Sequence, residues 1–130
     1  MKTPIIILTL ILTLNSFSQT QVEMNQEAYD LLEKADKELN EVYNNILTKY
    51  KSDSIFIESL KKSQRNWIKF RDSELEMKYP NYKAPYYGSS HPSCRAFYLK
   101  KLTEERTEKL KIWLNGIEEG DLCSGSVKAN

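Results

Sequence analysis

Apolar residues recur at steps of three and four along three stretches of this chain, a period that belongs to amphipathic helices. In the first stretch Ala28, Leu31, Leu32, Ala35, Leu39, Val42, Tyr43, Ile46, Leu47 and Tyr50 share one face. Thr20 with Glu23, or Asn25 alone, suits its N-terminal cap. Lys51-Ser52-Asp53-Ser54 reads as a tight connection, with Asp53 or Ser54 capping the next helix. That helix carries Ile57, Leu60, Gln64, Trp67, Ile68, Arg71 and Leu75 inward, and Pro80 stops it near Tyr79. A third helix starts around Ser90 to Ser93, with a stripe through Cys94, Tyr98, Leu102, Arg106, Leu110, Trp113 and Ile117. Gly116 or Gly120 ends it. A short turn makes the first two helices an antiparallel hairpin, which the third completes. The expected fold is all-α: a small antiparallel three-helix bundle with a long Tyr/Pro-rich loop between helices 2 and 3, and one disulfide.

The start of the chain has a different pattern. Lys2 gives a basic start, Pro4 to Leu14 are aliphatic apart from Thr9 and Thr13, and Ser16 and Ser18 have the spacing a signal peptidase uses. Residues 1–18 are therefore expected to be a cleavable signal peptide, leaving a single domain at 19–130 with its core at about 24–118. An 11-residue apolar run is too short for a hydrocarbon core of roughly 30 Å, so no stable membrane insertion is expected after cleavage. With cysteines only at Cys94 and Cys123, none stands where a lipid would be attached. In an exported chain these two most simply pair, closing a loop of about 30 residues worth roughly 3–4 kcal/mol. The alternative is two unpaired thiols.

Charge is uneven along the expected mature chain. Gln19 to Asp53 holds eight acidic and four basic residues, Ser54 to Thr103 four and ten, and Glu104 onward six and four. A nucleic-acid binder would be basic overall, so nucleic acid is not an expected partner. The basic middle section fits a solvated face packed beside an acidic helix.

Tyr79 to Ser93 breaks the helical pattern with Pro80, Pro85, Pro92, four tyrosines and Gly88-Ser89-Ser90-His91. Proline and glycine prevent regular structure there, while the aromatic content opposes disorder. Lys83, Tyr86, Tyr87, Gly88, Ser89, Ser90 and His91 are the candidate partner-binding residues, since loops on rigid scaffolds often bind. Equally, the loop could fold over the open end of the bundle. A second group, Asp36, Asn40, Gln64, Arg71, Asp72 and Arg106, places polar chemistry in or beside the apolar stripes. A buried guanidinium needs fixed acceptors, so Arg71 or Arg106 should meet Asp36, Asp72 or a backbone carbonyl in a network that sets helix register.

Nothing in the sequence assembles a catalytic site. His91 is the only histidine, and there is no phosphate loop, nucleophile elbow or metal motif. The chain reads as non-enzymatic, with no catalytic residues, metal or cofactor.

Met24-Asn25, Ala35-Asp36, Leu39-Asn40, Tyr43, Gln64, Trp67, Arg71-Asp72, Gly88-Ser89, Cys94, Thr103, Arg106 and Leu110 occur in an order that resembles the LprI-like family, the lysozyme-inhibitor N-terminal domain of many exported bacterial proteins. The resemblance covers about residues 20 to 115. It implies a periplasmic or secreted helical domain, with lysozyme inhibition as the namesake's activity. Glu27 and Leu75 stand where many relatives have cysteines, and the namesake is a lipoprotein, which this chain is not expected to be. The expected partner is a lysozyme or another exported protein. In the first case the loop enters a cleft whose two carboxyl groups do the chemistry. In the second, the chain is a cell-envelope binding or structural module.

Overall fold

Two local breaks divide the helical sequence. At the first, Asp53 accepts the Phe56 backbone N–H at 3.0 Å and caps a new helix. At the second, Pro80 follows Tyr79, the C-cap, whose N–H closes the last turn on the Leu75 carbonyl at 2.9 Å. The computed structural model describes the backbone of residues 3–129 and the side chains of residues 20–129. It contains α1 (Thr3–Lys49), α2 (Ser54–Lys78) and α3 (His91–Asn115). The signal-peptide reading of residues 1–18 lies outside the described side chains. Because α1 runs unbroken through Thr20 and Asn25, neither residue caps it. Asn25 instead donates to the Ser89 carbonyl at 3.4 Å.

This contact brings the early part of α1 to the start of α3. Their far ends also meet, through Lys49 Nζ to the Leu114 carbonyl (2.9 Å) and Tyr50 Oη to the Trp113 carbonyl (3.1 Å). Helices α1 and α3 are therefore parallel. Between α2 and α3, Gln64 meets Arg106 and Glu74 meets Tyr98, so α2 runs the opposite way. The expected three-helix, all-α architecture is present, and among the described residues the one extended pairing is an isolated bridge between Ile117 and Ala129.

Packing is closest between α1 and α3 rather than within the α1–α2 hairpin. Small buried residues explain this: Ala28 and Ala35 on α1 face a helix whose buried side includes Ala96 and Thr103. Helix α2 presents Gln64, Trp67 and Arg71, larger groups that hold its axis farther off. The main apolar cluster lies toward the α1–α2 turn and joins Leu39, Val42, Ile46, Tyr50, Phe56, Leu60 and Leu110. Tyr50 and Phe56 pack with ring centres 4.6 Å apart. Gly116, at φ +76°, ends α3 in a conformation that favours glycine.

No disulfide forms. Cys94 and Cys123 are both free and exposed. Cys94 lies in the first turn of α3, whereas the tail carrying Cys123 follows its last turn, about 30 Å away along the axis. A disulfide needs Cα atoms within about 7 Å. The inward stripe drawn through Cys94 also drifts, because each step of four overshoots a turn by about 40° and three such steps put Cys94 about 120° from Arg106. Ser93, Ala96, Thr103, Arg106, Thr107 and Leu110 are the buried residues of this helix. The tail is held by polar contacts instead: Trp113 Nε1 donates to Ser126 Oγ (3.0 Å) and the Lys128 N–H to Tyr50 Oη (3.1 Å).

Candidate functional site

The loop leaving α2 is organised around Tyr79. Its ring meets Tyr87, His91 and Tyr98 edge-on, with centroids 5.9, 5.3 and 6.3 Å away. Tyr87 stacks flat on His91, 4.0 Å between centroids and 7° between planes, and its hydroxyl donates to the Pro80 carbonyl at 2.9 Å. Two backbone turns tighten the segment, Tyr82 N–H to Pro80 O (2.8 Å) and His91 N–H to Gly88 O (3.1 Å). The Ala84–Pro85 peptide is cis. Ser90 precedes α3 without a side-chain cap bond, and its carbonyl accepts from Cys94 N–H and Ser93 Oγ.

The loop divides into two parts. Tyr87 and His91 turn down onto the ends of the helices, while Lys83, Gly88, Ser89 and Ser90 stay exposed. Tyr82 and Tyr86, 51% and 66% exposed, pack on each other with centroids 4.5 Å apart. Tyr82, absent from the candidate residues drawn from sequence, belongs with Tyr86 in this outward pair. The signal available was its i to i+4 spacing within a Pro-bounded segment. Beneath the tip, Glu76, Tyr79, Asn81, Tyr87, His91 and Arg95 line a cleft of about 570 Å³. The enclosed Nδ1 of His91 makes no hydrogen bond. Partial burial, then the neighbouring tyrosines, push the Tyr87 phenol above its ordinary range. Burial and then Glu74, which accepts the Tyr98 hydroxyl at 3.4 Å, do the same to Tyr98.

The polar group separates into two arginine sites, both close to the Trp67 ring. Arg71 reaches Asp36 at 3.5 Å and Asp72 at 3.1 Å, with its guanidinium 5.4 Å from the indole centre. Arg106 lies 5.9 Å from the same ring and donates to Gln64 Oε1 (3.0 Å) and Ser63 Oγ (3.1 Å). The expected acceptors are thus found by Arg71 and not by Arg106. Asn40 is exposed and stands apart from these contacts. Lys111 bridges Glu38 and Glu108 at 3.0 and 2.6 Å, so α1's acids pair with bases on both other helices.

Among the described residues no cluster of three or more histidine, cysteine or acidic side chains is placed to hold a metal ion, and no helix is long and apolar enough to cross a membrane. No curated protein and no solved structure matches the chain. The family model described as "Lysozyme inhibitor LprI" matches residues 15–110. With most of the chain inside that match, the chain belongs to the LprI family.

Proposed function

We propose that the protein is exported and inhibits a lysozyme-type muramidase by seating the tip of the Tyr79–Ser93 loop in the enzyme's substrate cleft. The observation that carries this is the division of the loop, with Tyr87 and His91 packed inward as a base and Tyr82 and Tyr86 presented outward. An anchored tip loses little conformational entropy on binding, and exposed tyrosines supply contact area together with hydrogen-bond donors. A muramidase cleft holds one ionised and one protonated carboxyl. Lys83 and the tyrosine and serine hydroxyls of the tip are donors suited to the ionised one. Acidic α1 steers toward a cationic enzyme, an effect that weakens with salt.

Protein beginning at Gln19, titrated into a cell-wall clearance assay, should suppress turnover in proportion to its concentration. The Tyr82→Ala/Tyr86→Ala double variant should raise the inhibition constant by at least about tenfold and lower the unfolding midpoint less than Tyr87→Ala does. Undiminished turnover across a panel of muramidases at high micromolar protein would reject inhibition. The loop would then belong to an envelope module with a different partner.

A further inference from the structure

Among the described residues Arg106 is an unusually placed charge. Its residue is only 8% exposed, yet both of its hydrogen-bond acceptors are neutral, Gln64 Oε1 and Ser63 Oγ. Among the described residues its guanidinium forms no ion pair, whereas the more exposed Arg71 forms two. Burial pulls the Arg106 pKa below its ordinary value, with no anion opposing that shift. A buried cation without a counter-charge is costly, and a ligand that supplies one recovers part of the cost.

The surroundings provide room for such a ligand. A groove of about 280 Å³ opens between α2 and α3 beside this guanidinium. Lys109 adds a second cation and Ser59, Ser63 and Ser126 add hydroxyls, while Phe56, Leu60, Leu110 and Trp113 supply an apolar wall. The bulky side chains that hold α2 away from its neighbours leave this gap. Arg106 lies fifteen helical steps from His91, about 22 Å, so the groove is distinct from the loop.

We propose that this groove binds an organic carboxylate with an apolar or aromatic body. The carboxylate sits against Arg106, within reach of Lys109, and the body lies along Phe56, Leu110 and Trp113. A planar carboxylate matches the guanidinium fork, and the apolar wall gives such an acid contacts that inorganic phosphate lacks. A free aromatic acid and the C-terminus of a peptide share this chemistry.

The test titrates the chain from Gln19 with N-acetylphenylalanine, its C-terminal amide, an N-acetylated tripeptide ending in phenylalanine, and inorganic phosphate, following backbone amide shifts and tryptophan fluorescence. The free acid should saturate and perturb residues around 60–63 and 106–113, with the amide at least about tenfold weaker. A tripeptide that binds more tightly than the single residue identifies a peptide C-terminus as the source; a weaker one identifies a free acid. Equal binding of acid and amide, binding of phosphate alone, shifts confined to 79–91, or no saturation below about 10 mM overturns the proposal. Arg106→Met, once shown to fold by its unfolding curve, should lose the preference for acid over amide, and keeping it overturns the assignment. If that variant does not fold, Lys109→Ala decides: a drop in affinity of about threefold is expected, and unchanged affinity overturns the site.

Discussion

Arg71 and Arg106 both lie near the Trp67 indole and reach different electrostatic solutions. Both were legible as polar residues in an apolar stripe, since each falls at helical spacing from a tryptophan or leucine. Which one would find the carboxylates was not legible, because that depends on Asp36 arriving from another helix. Removing the neutral acceptor of Arg106 should be expensive. Gln64→Leu should lower stability by about 1–3 kcal/mol in denaturant titration, since it leaves a buried donor unmatched. The cysteines lead to the opposite expectation. With both thiols free and exposed, Cys94→Ser/Cys123→Ser should leave the unfolding midpoint within about 0.5 kcal/mol of the parent. Both thiols should also react with a colorimetric disulfide reagent without denaturant. Pairing was inferred from cysteine count and compartment, neither of which carries information about distance.

Among the helices, the α1–α2 turn and the end of α2 were readable because their causes are local. Asp53 makes its cap bond within three residues, and Pro80 acts on its immediate predecessor. Asp53→Ala should therefore cost about 1 kcal/mol, measured by chemical denaturation, with the helical circular dichroism of the folded chain nearly unchanged. The inner face of α3 was harder to read. Cys94, Tyr98 and Leu102 follow Arg106 backward in steps of four, and the accumulated drift leads away from the core. Thr103 and Thr107 were missed because hydroxyl residues look like surface; Thr107 satisfies its own by donating to the Thr103 carbonyl at 3.0 Å. Phe56 was missed at the head of α2, where its ring packs under Tyr50. In the loop, proline and glycine marked the break, but its division into an inward base and an outward tip depends on which rings stack. Tyr87→Ala should accordingly destabilise the chain measurably in thermal melts, and the more exposed Tyr86→Ala should do so less.

For the whole molecule, alkaline pH is the condition to which the tertiary contacts respond most directly. Partial burial first, then its neighbours, raises the pKa of Tyr87 and of Tyr98 above 10.0. Hydrogen bonds to Glu108 and Glu38 raise that of Lys111 above 10.5. In each case the folded chain keeps its proton to a higher pH than the unfolded chain does. These contributions are complete below the unfolded values and are lost as pH rises through the folded ones. The unfolding midpoint should be flat from about pH 8 to 9.5 and fall beyond about pH 10, with tyrosine absorbance titrating late. A flat profile through pH 11 would contradict the packing of the loop base. Sequence alone determined what acts over one helical turn: three helices, their breaks, an irregular aromatic loop, the family resemblance and the absence of a catalytic motif. Only the tertiary structure decided that α1 lies closest to α3, that the tail is held by Tyr50 and Trp113 rather than by sulfur, and that Arg106 faces a groove without an anion. Those outcomes depend on how the surfaces of distant segments fit together, and short-range spacing does not encode that fit.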